Sequence, residues 1–455
     1  MDNETAHPTD APGSLSLPRN AKIALFHVGS SMADILASGV WNRIVIAELG
    51  FSATPVGLLL ALRYFLAPLS IWIGQRSDVT SWRGYRRLPY VWGGRLAMVL
   101  SYMLLGFCTV TLADNRDNML AWAGLVVALV AFSIGSALSS TTYLSLIYDI
   151  TPHAQRTRAV SVVWLFLIIG FAVAGIAYGR LLPQYSREGF LTLFIVAPLI
   201  MGILWFVSLV GEEKPIVPEK RTHAAPIERR PFWQDLKAVW ANGQTRIFFL
   251  FLGISTLAFY TQDSILEPFA GQVFHMPPAT TNRFSAYWGS MALIGILVSL
   301  WLVRRFPKRA DNTSLARWGV TILLVACAVL LACAAAQVRP LVTIGLVILG
   351  LGLGVWTVGT LGLMMDMTRA WGAGLYLALW TVSETLARGL GTALGGFVRD
   401  VVFGLSGQLP AAYGSVFLVE VLGFALAFGI LSRLNVAAFE QQAPAAETVL
   451  SAAMD

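Results

Sequence analysis

The sequence predicts an all-α polytopic membrane protein with twelve transmembrane helices in two six-helix halves. Its 455 residues are 56% hydrophobic and only 13% charged, with a mean hydropathy of +0.67, whereas a soluble domain has about 25% charged residues. Apolar runs of about twenty residues, the length that crosses a bilayer, recur along the whole chain. Such runs must be helical in a bilayer, because their backbone groups find no water to bind.

Polar interruptions between the apolar runs divide the chain into five regions. We expect a disordered cytoplasmic tail over 1–22, a first half over 23–211, a cytoplasmic linker over 212–245, a second half over 246–435 and a cytoplasmic tail over 436–455. The basic, aromatic stretch from Phe232 to Trp240 predicts an amphipathic helix in the linker. The predicted spans are about 23–48, 54–75, 90–112, 119–148, 159–182, 190–211, 246–270, 284–303, 315–336, 340–365, 373–400 and 413–434.

The basic residues are unevenly distributed. Of the 32 Lys and Arg residues, twenty-two lie in the tails and the even-numbered loops, five lie in the odd-numbered loops, and five lie within predicted spans. Basic residues are retained on the cytoplasmic side of a membrane, so both termini are predicted to face the cytoplasm. Because this distribution accounts for the net charge of +7, the predicted partner is the lipid membrane and not nucleic acid.

Several ionisable residues lie inside predicted spans and are candidates for a functional site. They are Asp34, Arg43, Glu48, Arg63, Arg95, Asp263, Glu267, Glu384, Arg388 and Glu420. Charge at membrane depth is costly, so such residues persist where they pair or face a wet cavity. Two interpretations remain open: the charges fix the register of neighbouring helices, or they line a central cavity that holds a substrate or a coupling proton.

Spacing distinguishes two pairs among these residues. Glu384 and Arg388 are four positions apart in the order that favours a local ion pair. Asp263 and Glu267 have the same spacing and are expected to share a helix face, but no cationic residue lies near them in the sequence. They are therefore the stronger candidates for a proton or ligand site.

No constellation typical of an enzyme is visible. The five histidines are scattered, and none has a carboxylate at metal-site spacing. The glycines of Gly350-x-Gly352-x-Gly354 and Gly391-x-x-x-Gly395 lie within apolar spans and predict close helix packing. The sequence therefore predicts a non-enzymatic protein with no resident metal.

The loop after the second predicted span carries a recognisable motif. Its residues are Gly74, Asp78, Gly84, Arg86 and Arg87, in the pattern Gly-x-x-x-Asp followed by Gly-x-Arg-Arg. This motif resembles the signature of major facilitator superfamily transporters, which implies the major facilitator fold. The resemblance also implies that Asp78 stabilises the cytoplasmic side of the first half.

A wider set of residues resembles one branch of that superfamily, the bacteriochlorophyll-delivery family that includes PucC and LhaA. The matching stretches are Asn42-Arg43-Ile44, Glu48-Leu49-Gly50, Ala67-Pro68-Leu69, Arg76-Ser77-Asp78, Arg87-Leu88-Pro89-Tyr90 and Gln262-Asp263-x-x-Leu266-Glu267-Pro268-Phe269. The resemblance implies an assembly factor for light-harvesting complexes in the inner or photosynthetic membrane. Its implied partners are antenna polypeptides or a reaction-centre antenna complex, and its implied cargo is bacteriochlorophyll or chlorophyll.

The magnesium of a chlorin needs an axial ligand, and His27 and His275 are the imidazoles nearest to predicted spans. The family resemblance places glutamine more often at the position of His27, so the shared function is not expected to depend on this imidazole. Two alternatives stay open. One is a proton-coupled secondary transporter of a small lipophilic solute, and the other is an accessory subunit bound to a photosynthetic complex.

Overall fold

A computed structural model describes residues 15–152, 155–215, 240, 242–307, 309–368 and 373–435, which are helical apart from short connections. The helices are α1 (Leu17–Asp34), α2 (Ala53–Phe65), α3 (Leu69–Val79), α4 (Leu88–Asp114), α5 (Met119–Ile150), α6 (Arg156–Leu181), α7 (Arg187–Leu209), α8 (Gly243–Tyr260), α9 (Leu266–Phe274), α10 (Pro278–Thr281), α11 (Phe284–Arg305), α12 (Asn312–Ala336), α13 (Pro340–Thr368), α14 (Ala373–Ser406) and α15 (Leu409–Leu431).

Within these described ranges, ten helices are long and apolar enough to cross a membrane. The predicted seventh and eleventh spans are not among them. The seventh is divided between α8 and α9, and the eleventh, α14, carries several charged residues. The all-helical membrane architecture is therefore confirmed, while the count of twelve spans stays a prediction.

The first span begins earlier than the sequence predicts. Helix α1 starts at Leu17, and the side chain of Ser16 accepts a hydrogen bond from the backbone N–H of Arg19. A serine cap followed by proline in the first turn is a favourable helix start. Residues 17–22 are thus helical, and the remainder of the predicted tail up to residue 14 lies outside the described residues. After α1 the span continues as π-helix over Ile35–Trp41 and Ile44–Glu48.

The predicted seventh span is interrupted. Helix α8 ends at Tyr260, residues 261–265 form turns, and α9 starts at Leu266, so the prediction of one helix over 246–270 is wrong. The turns are held in part by α14, where the backbone carbonyl of Thr392 accepts a hydrogen bond from the Ser264 hydroxyl at 3.2 Å. Pro268, in the first turn of α9, also has no backbone N–H to donate to the carbonyl of Ser264, so a local residue and a contact between residues distant in sequence both favour the interruption.

Contacts group the chain into two compact units. The first contains Met1–Ile35, Leu66–Ala174 and Ser186–Lys220, and the second contains Leu36–Phe65, Gly175–Tyr185 and Arg221–Asp455. The second unit thus includes the end of the first span and α2 as well as α8 to α15. Helix α2 packs closely on α14, because Gly57 leaves room for the carbonyl of Thr392.

Apolar side chains and glycines pack the second unit. Its core combines side chains of α8, α12, α13 and α15, among them Phe248, Leu323 and Phe424. Gly350 and Gly354 of α13 lie against backbone carbonyls of α11, and a Cβ at either position would clash with them. The predicted close packing at these glycines is confirmed.

Candidate functional site

The second unit contains a cluster of paired charges and aromatic rings, which we call the Arg63 cluster. Its members are Arg63, Tyr64, Tyr260, Asp263, Trp380, Glu384 and Arg388. They come from α2, α8, the turn after α8, and α14. Because all seven lie in one compact unit, their geometry is that of a single packed body.

Asp263 has a cationic partner that the sequence does not indicate. The Arg63 guanidinium lies 3.7 Å from its carboxylate, and the Thr392 hydroxyl lies 3.4 Å from the same group. The absence of a cationic residue near Asp263 in the sequence therefore does not leave this carboxylate without a cation in the structure. The partner, Arg63, belongs to α2, which is far from Asp263 in the sequence.

Glu384 and Arg388 form the ion pair that their spacing predicts. The Trp380 indole N–H also donates to Glu384 at 2.9 Å, and the Arg388 guanidinium lies over the Tyr260 ring, 4.7 Å from its centroid. A hydrogen bond and a ring contact thus hold both charged groups in place.

The Arg63 cluster is charge-compensated and aromatic. Arg63 donates to the Tyr64 hydroxyl at 2.6 Å, and the Tyr64 and Tyr260 rings meet edge to face, with 6.1 Å between centroids. Two guanidinium groups face two carboxylates, and the four charged side chains are 15–35% exposed. Such a surface suits a largely apolar ligand with a few polar groups better than an ion.

Arg43 serves a different purpose from the Arg63 cluster. Its side chain is 3% exposed, pairs with Glu48 at 2.8 Å and donates to the backbone carbonyl of Met276 at 2.8 Å. Its guanidinium also packs on Gly271 of α9, where a Cβ would come within 2.7 Å. Its own backbone N–H donates to the side chain of the preceding Asn42. Arg43 therefore ties the end of the first span to α9.

Glu267 lies close to the contact between Arg43 and α9. Glu267 is 6% exposed and lies in the first turn of α9. Its carboxyl group interacts electrostatically with Asp263 and Arg43. The prediction that Asp263 and Glu267 share a helix face is wrong, because Asp263 lies in the turns before α9. Asp263 is instead paired with Arg63.

A second network in this unit was missed by sequence reasoning. Asp400 accepts hydrogen bonds from the backbone N–H groups of Ala53 and Thr54 at 3.1 and 2.7 Å, and so caps the start of α2. The neighbouring Arg399 pairs with Asp400 and donates to Gln272 at 2.6 Å. The only sequence signal is an Arg-Asp dipeptide near the end of a predicted span, which does not identify the capped helix.

Gln272 joins this network to two other segments. Its amide nitrogen donates to the backbone carbonyl of Ile46 at 2.8 Å, and its amide oxygen accepts from the Tyr413 hydroxyl at 2.6 Å. The last turn of the first span is therefore bound to α9, α14 and α15.

In the first unit, Arg87 is the centre of the loop motif. Its side chain is 7% exposed, and it contacts Asp78 at 2.6 Å, Asp149 at 3.0 Å and the Ser77 hydroxyl at 2.6 Å. Burial lowers the Arg87 pKa, but hydrogen bonds to Asp149 and Asp78 outweigh this effect and raise the pKa above the usual arginine value. Arg86 contributes less, donating to the backbone carbonyl of Asp78 at 2.6 Å.

The glycines of the motif have backbone roles. Gly84 has a φ of 85°, which favours glycine, and Gly74 faces Thr141 so closely that a Cβ would lie 3.2 Å away. Glu213 then accepts hydrogen bonds from the backbone N–H groups of Arg86, Arg87 and Leu88, capping α4. The sequence predicts that Glu213 belongs to the linker, but the structure places it in the first unit.

The two candidate pigment ligands lie in different surroundings. The ring of His27 is enclosed by Phe26, Tyr143 and Trp164, and both of its nitrogens are buried without a hydrogen-bond partner among the described residues. His275 is exposed and ends α9 in a left-handed conformation, with a φ of 52°. Its backbone N–H donates to Ala270 as a helix cap.

A comparison with known families identifies the chain. Residues 40–439 match the family model described as PUCC protein. The chain belongs to the PUCC protein family. The resemblance inferred from the sequence motifs is therefore confirmed.

Two relatives of this PUCC family member come from Rhodovulum sulfidophilum and Rhodobacter capsulatus. Protein PucC of Rhodovulum sulfidophilum is 28% identical over 86% of this chain and 87% of its own length. The bacteriochlorophyll synthase 44.5 kDa chain of Rhodobacter capsulatus is 28% identical over 89% of this chain and 90% of its own length.

A solved structure of similar fold is a bacterial homolog of the human lysosomal transporter Spinster in an inward-facing, occupied conformation. It covers 92% of this PUCC chain and 97% of its own length, with a TM-score of 0.68 and 15% identity. At that identity the likeness shows the fold alone. The predicted major facilitator fold is confirmed.

Proposed function

We propose that this chain is a membrane assembly factor for light-harvesting complexes, and that it binds or delivers bacteriochlorophyll or chlorophyll to antenna polypeptides. The observation that carries the proposal is the family match over residues 40–439. Similarity to a chain named for bacteriochlorophyll synthesis adds support. The protein acts in this proposal by binding and handing over cargo, without catalysis.

The Arg63 cluster supports a pigment as cargo. A chlorin is large, flat and mostly apolar, with a few polar groups at its edge. Tyr64, Tyr260 and Trp380 offer aromatic surface, while the paired charges leave no net charge to attract an ion. The charged groups can donate or accept hydrogen bonds at the polar edge of such a ligand while each keeps its ion-pair partner.

The axial ligand of the pigment magnesium is a separate part of the proposal. His27 is the stronger candidate, because both of its ring nitrogens lack a partner among the described residues. Ligation requires the imidazole to turn away from Tyr143 and Trp164, which enclose it here. His275 is the weaker candidate, because its position is explained by the capping of α9.

The proposed location is the inner or photosynthetic membrane, with both termini in the cytoplasm. This orientation rests on the excess of basic residues in the tails and even-numbered loops. The proposed partners in this membrane are antenna polypeptides or a reaction-centre antenna complex.

A deletion strain tests the function directly. In the native host, we expect loss of the gene to lower antenna absorbance per cell while pigment biosynthesis continues. Complementation with Arg63→Gln is expected to leave antenna absorbance low, and complementation with Arg304→Gln to restore it. Arg304 is a matched control because it is an exposed arginine at the end of α11.

Antenna absorbance is compared after correction for the amount of each variant in the membrane, measured by immunoblot. Antenna absorbance that is unchanged in the deletion strain, together with altered uptake or export of a lipophilic solute, would contradict assembly and favour the transporter. The absorption spectrum of the gently purified protein then tests the cargo, since a carrier is expected to retain a chlorin band.

A further inference from the structure

Glu420 of α15 is a buried carboxyl group outside the Arg63 cluster. The residue is 0% exposed, and both carboxyl oxygens are buried without a hydrogen-bond partner of good geometry among the described residues. A carboxylate in such a place loses the stabilisation of water and gains nothing equivalent. Its charge state is therefore decided by what surrounds it.

Two groups lie next to the Glu420 carboxyl. They are the thiol of Cys327 on α12 and the backbone N–H of Gln262 in the turns between α8 and α9. The Gln262 side chain is itself 3% exposed, and its amide oxygen is buried without a partner in the described ranges. Glu420 thus lies at the point where the predicted seventh span is interrupted.

Most ionisable groups on the neighbouring elements interact with residues other than Glu420. Helix α15 packs against α8, α9, α12 and α14. Among the other ionisable groups on these elements and the adjoining turns are Tyr260, Asp263, Glu384 and Arg388 in the Arg63 cluster, Glu267 near Arg43, Arg399 and Asp400 at the start of α2, Tyr413 beside Gln272, His275 at the end of α9, Arg246 and Arg317 early in α8 and α12, and Cys333, whose thiol donates to the backbone carbonyl of Val338. Among the described residues, Cys327 is the ionisable group that acts on Glu420.

These surroundings favour the neutral acid over the carboxylate. No arginine or lysine of the described chain lies within ion-pair distance of Glu420, and a thiol is a weak donor. A neutral acid can accept a hydrogen bond from the Gln262 N–H and offer its own O–H to a neighbour, without the desolvation cost of a charge.

We propose that Glu420 is a proton-binding site of the second unit, occupied in this conformation, and that release of its proton to water changes the turns at residues 261–265. The carboxylate formed by that release needs water or a cation. It must therefore leave its place beside Gln262 or admit water there. Interrupted helices supply coupling-ion sites in other membrane proteins, and this site does not depend on the identity of the cargo.

Infrared difference spectroscopy on the full-length protein tests the protonated state. Glu420→Gln keeps the size, neutrality and carbonyl acceptor of a protonated glutamic acid. At neutral pH we expect Glu420→Gln to lose a carboxylic acid C=O band, whereas Glu188→Gln is expected to leave that band in place. Glu188 is an exposed residue in the first turn of α7. In Glu420→Asp the acid band is expected to shift and not vanish.

Hydrogen–deuterium exchange over a pH series tests the coupling. The intrinsic rate of amide exchange depends on pH in the same way in the wild type and in Glu420→Gln. We therefore expect exchange at residues 261–265 to increase more at alkaline pH in the wild type than in Glu420→Gln. The absence of an acid band assigned to Glu420 would overturn the proposal, as would equal exchange in both proteins. Failure of the neutral Glu420→Gln to accumulate would also count against a protonated Glu420.

Discussion

At the residue scale, Arg63 and Asp263 allow the two interpretations of the intramembrane charges to be separated. We expect Arg63→Gln and Asp263→Asn each to destabilise the protein by about 1–3 kcal/mol, which lies between the values for exposed and buried ion pairs, because each removes one member of a half-buried pair. The double variant is expected to recover stability and abundance, since it removes both charges. The measurements are the melting temperature in detergent and the immunoblot signal.

Antenna absorbance per cell distinguishes structure from function in the same three variants. If the pair forms part of a ligand surface, the double variant regains abundance but not antenna absorbance, and this is the result that we expect. If the double variant fully regained antenna absorbance, the Arg63–Asp263 pair would have a structural role only.

Arg87 supports a second residue-scale prediction. Because Arg87 has two carboxylate partners, Asp78 and Asp149, each about half exposed, we expect Asp78→Asn alone to cost less than about 1 kcal/mol. Removing both carboxylates leaves a buried guanidinium without an anion and is expected to cost several kcal/mol. The measurement is the melting temperature of the two single variants and the double variant. Additive effects would show that the partners act independently.

At the element scale, the turns between α8 and α9 pack closely against the surface of α14. A Cβ at Gly395 would fall well inside contact distance of the Thr261 carbonyl and 3.2 Å from Ile265. We therefore expect Gly395→Ala to destabilise the protein by about 1–3 kcal/mol through overpacking. Gly404 on the same helix is a matched control, since its Cβ would meet nothing within 4 Å.

For Gly404→Ala the expected effect has the opposite sign. Alanine is better than glycine in a helix by up to about 1 kcal/mol, so its melting temperature should rise or stay unchanged. Both variants are measured in the same detergent. A Gly395→Ala protein as stable as Gly404→Ala would contradict the close approach of α14 to the turns at residues 261–265.

At the scale of the whole molecule, membrane orientation is the property to be tested. Reporter fusions at Asn115 and Gln184, in odd-numbered loops, are expected to be periplasmic. A fusion at Ala224, in the predicted linker and outside the described residues, is expected to be cytoplasmic. The physical reason is the retention of basic residues on the cytoplasmic side. A periplasmic reporter at Ala224 would reverse the predicted orientation.

The sequence by itself determined the membrane class, the facilitator fold and the family. Apolar runs set by bilayer thickness identify spans without tertiary information, and short motifs such as Gly74 to Arg87 are contiguous in the chain. The Glu384–Arg388 pair was also predictable, because its four-residue spacing places both groups on one helix face.

Only the tertiary structure decided which distant groups meet. Arg63 with Asp263, Asp400 at the start of α2, Glu213 at the start of α4, and Glu420 beside Gln262 all join residues far apart in the chain. The turns that interrupt the seventh span make the same kind of contact, since Gly395 of α14 lies against the backbone carbonyl of Thr261. Periodicity reports which face of a helix is apolar, but it carries no information on which other helix that face will pack against.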